Sequence, residues 1–349
     1  MLSAARNDYP ASIVCRLPAP IAARSWLEAS GYRLLPFDLK ARAHFEAALS
    51  EVPTARLSDY SFANNMIWLT LSSGFWQIIE DCFCLFMLSG NGLGMMLPPL
   101  GSPDDQVRAL EACAGLMDEF NASGSDVQIE YVYPDMLALF EPGPEDQTLR
   151  LGDRVFNVVQ GRADYIYETQ ALIELKGHPY RNKRNEINQF RATYPDHEIM
   201  PFRPSHREAA LELLDGWMQH RLRTPPTDAP MSQMVSYIEY EHKAIQRSIA
   251  LYDELDLVGL SLFVGGRMAG FTFGERIGPD VASVLIEKTD FAVPGAPQYI
   301  FREFAKVLAD CTWLNVGDDL GIENLKRVKM SYRPASLGAK VSLVLRREG

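Results

Sequence analysis

The sequence predicts an α/β protein with mixed sheets, built as a duplicated unit. Its 349 residues, 47% of them hydrophobic, exceed the usual size of one core and can bury two. Each half sets apolar runs of strand length beside segments whose apolar residues recur at helical spacing. Each half also follows one order of helix, glycine-turned hairpin and further helix, although no sequence repeat is visible. The seam falls near Gly152 to Asp164, dividing the chain into 1–160 and 161–349.

In the first half a short helix follows Asp38, and NNMIWLTL and FWQIIEDCFCLFMLSGNGLGMMLPPLG come after it. The end of that stretch predicts strand, a turn at Gly90-Asn91-Gly92 and strand, closed by Pro98 and Pro99. SGNGLG is not a phosphate loop on this reading, because apolar strand residues follow the glycines where a helix N-terminus is needed. Ser102-Pro103-Asp104-Asp105 then gives cap, first-turn proline and acids in the preferred order. Val107, Leu110, Met117 and Phe120 fall on one face of the helix it starts.

In the second half Ser205 and Glu208 form a capping box for a helix carrying Leu211, Leu214 and Met218. The proline-rich loop RTPPTDAPMS and a helix through Tyr237, Ile245 and Ile249 follow. LVGLSLFVGGRMAGFTFGE predicts a hairpin turning at Gly265-Gly266. The strand VASVLIEK, a helix through Phe301, Phe304 and Val307, the strand WLNV and a last helix from Glu323 complete the unit.

The formal net charge of -11 argues against a surface that grips nucleic acid throughout. A local basic site remains compatible, since a Debye length of roughly 8 Å screens distant carboxylates. The start, MLSAARNDYP, has no basic segment leading into an apolar core, and runs such as Cys82 to Leu88 fall far short of the ~20 residues that span a bilayer. A cytoplasmic protein is expected. The five cysteines, Cys15, Cys82, Cys84, Cys113 and Cys311, lack metal spacing and suit a reducing compartment. The six histidines show no ligand pairing, so no metal is expected, and Glu239, Glu241 and His242 diverge on a helix as a solvated face. No G-x-S-x-G or H-E-x-x-H motif supplies a nucleophile or metal site.

One local feature opposes the global charge. LKGHPYRNKRNEINQF, Leu175 to Phe190, carries Lys176, Arg181, Lys183 and Arg184 against Glu186. On a helix from Tyr180 to Tyr194, at about 100° per residue, Tyr180, Ile187, Phe190 and Tyr194 share a stripe. Lys183 falls inside it and Arg184 and Arg191 flank it, while Arg181 and Asn185 point away. A merely solvated charge run would oppose the apolar face. Lys183 either snorkels or meets an anion. The last helix repeats the pattern: Ile322, Leu325, Val328 and Tyr332 form a stripe that contains Lys329, with Lys326 and Arg327 outside. Acids stand at the neighbouring strand ends, Glu287 beside Lys288 and Asp318-Asp319 after WLNV, where open α/β sheets place ligands; capping is the alternative role for the aspartates.

These segments resemble the C-terminal domain of phosphatidylglycerol lysyltransferase and its soluble bacterial relatives of the DUF2156 type. The resemblance runs from about Asn64 to Pro334 and is carried by DYIYETQALIELKGHPYRNKRNEINQF, FTFGERI, VLIEKTD and NVGDDLGIENLKRVKMSYRP, in this order. It implies two tandem GNAT-like acyltransferase folds and aminoacyl transfer from aminoacyl-tRNA to a lipid head group or other acceptor, with peripheral membrane contact open. Two positions depart from the expected pattern: Leu285 stands where His is expected before the E-K pair, and Val316-Gly317-Asp318 replaces an acidic-basic run before D-L-G.

Aminoacyl transfer starts from an activated ester, so the site must position an incoming amine or hydroxyl, take its proton and stabilise the carbonyl oxygen. Glu287, Asp319 and Lys329 are the candidate catalytic residues. Lys183, Arg184, Asn185, Lys288, Arg327 and Tyr332 are the candidate substrate-binding residues, with Lys183, Arg184 and Lys329 turned to phosphates. No resident cofactor is expected. Coenzyme A is the second choice of donor, since the nearest pyrophosphate-loop match, Arg267-Met268-Ala269-Gly270-Phe271-Thr272, lacks the last small residue and lies in a hairpin. A non-catalytic protein that binds a phosphorylated ligand or RNA end is the third reading.

Overall fold

The computed structural model of the chain describes residues 33–52, 56–69, 73–89, 92–121, 127–223 and 231–346. In chain order the strands are β1 (Leu35–Pro36), β2 (Ser73–Ile79), β3 (Cys82–Ser89), β4 (Gly92–Met95), β5 (Gln128–Val132), β6 (Glu141–Pro142), β7 (Thr148–Leu151), β8 (Arg154–Gln160), β9 (Asp164–Glu168), β10 (Glu198–Pro201), β11 (Val258–Val264), β12 (Arg267–Arg276), β13 (Val281–Thr289), β14 (Trp313–Asn315), β15 (Ser336–Gly338) and β16 (Val341–Leu345). The helices are α1 (Arg42–Ser50), α2 (Phe62–Trp68), α3 (Pro103–Phe120), α4 (Thr169–Glu174), α5 (Arg181–Thr193), α6 (Arg207–Arg223), α7 (Met231–Ala250), α8 (Ala296–Val307) and α9 (Glu323–Ser331).

The chain forms two compact units, each built on a mixed sheet, in keeping with the α/β class the sequence predicts. Among the described residues the first unit comprises 33–52, 69–160 and 341–346, and the second 56–68 and 161–340. The assignment of 56–68 and 341–346 carries no composition signal, because a segment's loyalty is decided by which sheet or core it completes.

In the first unit the strand order is β1-β2-β3-β4-β5-β16-β8-β7-β6, antiparallel except for the β4–β5 pair. Phe45 of α1 packs on Phe83 of β3, which stacks on Trp76 with centroids 5.0 Å apart. Ser102 caps α3 as expected, its hydroxyl oxygen accepting from the Asp105 N–H at 3.4 Å with Pro103 in the first turn. The buried face of α3 centres on Leu110, Cys113, Leu116 and Met117, leaving Val107 and Phe120 half-buried at its margins. The strands β3 and β4 pair antiparallel as expected, Ser89 against Gly92, while Gly90 and Asn91 lie outside the described residues. Cys82, Cys84, Cys113 and Cys311 are buried free thiols; Cys15 lies outside the described residues.

The second unit has the order β10-β11-β12-β13-β14-β9-β15. Gly265 and Gly266 turn its central hairpin with φ of +55° and +74°, a conformation that glycine adopts without steric cost. Alternation along β12 assigns the two faces. Phe271 and Phe273 pack with Phe202 and Tyr252, beside α6 and α7, whereas Gly270 and Gly274 face Ile300 and Phe304 of α8. A Cβ on Gly274 would sit 3.0 Å from the Phe304 ring, so the missing side chain lets α8 approach the sheet.

Four local expectations are corrected. Ser205 lies within a 3-10 turn, Pro204–His206, whose proline starts the turn with no side-chain cap. Val307 is 42% exposed, because α8 buries Ala296, Tyr299, Ile300, Phe304 and Ala305 instead. Val328 is exposed, since α9 meets its own unit along Leu325, Lys329 and Tyr332. Glu241 and His242 are engaged rather than solvated: Glu241 pairs with Lys288, and His242 Nε2 meets Asp215 Oδ1 at 2.7 Å. The loop at 224–230 lies outside the described residues.

Candidate functional site

The sheet of the second unit opens at its centre. The parallel strands β13 and β14 pair only from Val281–Ser283 to Trp313–Asn315, after which β13 runs on to Thr289 and the other chain turns away through Val316 to Gly321. A parallel pair that parts leaves a gap at strand ends, where this fold class holds its ligands. On its other side β13 steps register against β12 between Phe273 and Gly274, pairing Ile286 and then Val284 and leaving Leu285 as the extra residue of a bulge. Leu285 is the position at which the family resemblance expects His.

Just past that bulge the chain carries Glu287 and Lys288, which strand alternation sends to opposite faces. Lys288 turns toward α6 and α7, where its ammonium meets Glu241 Oε1 at 2.9 Å and lies 3.5 Å from the centre of the Trp217 ring. Burial lowers its pKa, and the nearby Arg221 adds to that, while Glu241 opposes both. Glu287 turns to the other face, beside Thr272. Its Oε2 is inaccessible and has no hydrogen-bond partner among the described residues, and burial raises its pKa to about 8 against the partial relief of the Lys288 charge.

Tyr332, the residue after α9, feels the Glu287 charge and joins a cluster that also draws on α5, on Tyr180 just before it and on Tyr167 of β9. Lys183 is buried on the stripe that the sequence predicts for it, 4.4 Å above the Tyr332 ring and 3.9 Å from Glu186 Oε2. Burial lowers its pKa and Glu186 partly restores it. Tyr332 is held far into the un-ionised state by burial, then by the charges of Glu287 and Glu186. The hydroxyl of Tyr180 donates to the Tyr332 carbonyl at 3.1 Å, and Tyr167 meets the Tyr332 ring edge-on at 6.4 Å. Glu186 also has an inaccessible Oε2 without a hydrogen bond among the described residues. The cluster therefore holds two carboxylate oxygens with spare acceptor capacity, one ammonium and three phenols.

The remaining candidates are placed elsewhere. Lys329 gives its ammonium to the carbonyls of Val316 (2.6 Å), Gly317 (3.2 Å) and Asp318, so its three donors hold the loop that leaves β14. Burial brings its pKa down to about 8. Asp319 accepts from the Tyr165 hydroxyl at 2.7 Å and from the Gly321 N–H at 2.9 Å, shaping the turn before α9 rather than capping it. Arg184 donates to the carbonyls of Leu175 and Gly177, closing the end of α4. Arg327 is exposed and donates to Asn324 Oδ1 at 2.8 Å. Asn185 lines a separate concavity on the outer face of α5.

Sequence reasoning did not find the most buried charges of this unit. Lys340 Nζ lies 2.5 Å from Asp59 Oδ2 and 2.9 Å from Asp164 Oδ1, and Asn315 and Ser58 both donate to Asp164 Oδ2. Burial works to raise Asp164, yet Lys340 and these donors hold its pKa below the usual range; burial carries Asp59 up to about 7. These residues sit in separate segments with no motif linking them, and they fasten 56–60 and the end of the unit onto β9. Among the described residues no group of three or more His, Cys, Asp or Glu is arranged to hold a metal, and no helix is long and apolar enough to cross a membrane.

Fold and site define the class: an α/β protein of two mixed sheets with a carboxylate at a parted strand pair. The chain belongs to the family of the phosphatidylglycerol lysyltransferase C-terminal domain, whose model matches residues 52–341. A conserved Bacteroides thetaiotaomicron VPI-5482 protein of unknown function is 27% identical, with a TM-score of 0.74 over 90% of this chain and 99% of that one. The C-terminal domain (DUF2156) of an Agrobacterium fabrum protein described as a lysylphosphatidylglycerol synthetase is 12% identical, with a TM-score of 0.59 over 88% of this chain and 92% of that one. The L-PGS structure from Bacillus licheniformis is also 12% identical, at 0.56 over 95% and 93%. No curated protein matches the chain significantly. Membership in the family supports an acyltransferase.

Proposed function

We propose that the protein transfers an aminoacyl group from aminoacyl-tRNA to an amine or hydroxyl acceptor, with Glu287 as the general base. The observation that carries this reading is the inaccessible, unpartnered Glu287 Oε2 beside the gap between β13 and β14. A buried carboxylate oxygen with no hydrogen bond among the described residues is costly unless something else completes it. Its pKa of about 8 matches proton transfer near neutral pH.

The acceptor's N–H or O–H gives its proton to Glu287 as its lone pair attacks the ester carbonyl. The tetrahedral intermediate collapses with cleavage of the bond to the tRNA 3′-oxygen, and the proton returns to that leaving oxygen. Lys183, above Tyr332, supplies positive charge to the cluster, and in this reading Glu186 holds the donor's α-ammonium. No covalent enzyme intermediate is needed. Coenzyme A fits less well: Arg267 to Thr272 lie wholly within strand β12, and Gly295 at the start of α8 packs against Glu186 and Phe190, where a Cβ would sit 2.8 Å from the Glu186 carbonyl oxygen.

The test incubates the protein with tRNA charged with a labelled amino-acid mixture, adding lipid and small-molecule extracts, in parallel with Glu287→Gln. Movement of label that the variant reduces by 100-fold or more, on the order expected for a lost general base, supports the reading. If charged tRNA binds and no label moves, the non-catalytic alternative that Leu285 favours takes its place. If nothing binds, the tRNA donor is abandoned.

A further inference from the structure

The outer face of α5 holds a second site. A concavity of about 400 Å³ is lined by His178, Pro179, Arg181, Asn182, Asn185 and Arg333. Its five polar side chains, those other than Pro179, make no hydrogen bond or ion pair among the described residues. Among the described residues no acid lines it, in a chain of formal net charge -11. We propose that this concavity binds the phosphate group of a small phosphate monoester.

Four observations support the assignment. The first turn of α5 has no side-chain cap and no acid, but carries Arg181, Lys183 and Arg184, the reverse of what the positive end of a helix prefers. An oxyanion there would pair with the Arg181 guanidinium. Arg333, at a φ of +56° that is uncommon outside glycine, lines the concavity opposite the residues of α5. The two sides are tied together beforehand, because Tyr180, just before α5, donates to the carbonyl of Tyr332, just before Arg333. Finally, the other basic side chains of the island are committed: Lys176 to Glu174, Lys183 to the buried cluster and Arg184 to backbone carbonyls. Two guanidinium forks facing one hollow match the geometry of a dianionic phosphate, and the volume suits a small molecule.

This inference does not depend on aminoacyl transfer, and its test uses neither tRNA nor turnover. Binding of inorganic phosphate and of methyl phosphate is titrated calorimetrically at constant ionic strength set with chloride. The proteins are the full chain, Arg181→Gln, Arg333→Gln and Lys326→Gln, the last an exposed charge on α9 outside the concavity. Saturable binding at one site per chain is expected, weakened about tenfold to a hundredfold by either arginine substitution and less than about twofold by Lys326→Gln. All three positions are exposed, so thermal midpoints should stay together. Absence of saturable binding, or equal weakening by all three variants, overturns the proposal. Anionic vesicles form a separate arm. If they bind through Arg181 and Arg333 while both soluble phosphates fail, the face is a lipid-binding surface and not a phosphate pocket.

Discussion

Replacing Glu287 by Gln keeps the shape of the side chain and removes its ability to ionise, so the burial of this carboxyl becomes measurable without knowledge of a substrate. Folding raises its pKa from 4.5 to about 8, so the folded state favours the neutral acid. The stability that this preference supplies is complete below pH 4.5 and is lost as pH rises through about 8. At about 1.36 kcal/mol per pH unit, the wild type should lose about 3 kcal/mol relative to the variant between pH 4.5 and pH 7, and about 5 kcal/mol at most above pH 8. Urea unfolding of both proteins at several pH values from 5 to 9 reads the difference directly. Glu287→Gln should match the wild type near pH 5 and exceed it increasingly toward pH 9. Parallel pH profiles would refute the reasoning, since they would mean that the carboxyl is solvated or paired in the folded protein. If the enzyme reading holds, the same group should make kcat/KM rise with pH to a plateau above about 8, as Glu287 becomes the free base.

Other perturbations follow from the same geometry. Lys340→Met leaves Asp59 and Asp164 buried without their cation, and chemical denaturation should show a loss of about 3–5 kcal/mol. Arg184→Ala removes the donor to the carbonyls of Leu175 and Gly177; a stability loss of about 1–3 kcal/mol is expected, with phosphate affinity at the outer concavity changed less than about twofold. Gly295→Ala forces a Cβ to within 2.8 Å of the Glu186 carbonyl oxygen and the Phe190 Cβ at a φ of +83°, and thermal unfolding should report about 2–4 kcal/mol of destabilisation.

Legibility of the site followed the reach of each physical signal. Lys183 was visible because helical periodicity placed a cation inside an apolar stripe, and it is buried there. Glu287 was visible as an acid at a strand end near a family motif. The fate of Lys329 was not, because sequence spacing puts its side chain on a face without saying that the Val316, Gly317 and Asp318 carbonyls will surround it. Lys288 shows the same limit in another form: alternation separates it from Glu287, but only the packing of α6 and α7 brings Trp217 and Glu241 to it. The turn at Glu80-Asp81, left-handed at φ of 48° and 61°, lacks the glycine that marks such turns and was not singled out.

The sequence by itself determined the mixed α/β class, the hairpin at Gly265-Gly266, the cap at Ser102 and the amphipathic face of α5, because each is a short-range consequence of periodicity, turn chemistry or capping. Tertiary structure decided the assignment of 56–68 and 341–346 to their units, the union of Asp59, Asp164 and Lys340, and the arginines without partners among the described residues at the outer concavity. Those features depend on which distant segments meet and which charges find partners. Local propensity does not encode that choice; burial and electrostatic satisfaction across the whole chain do.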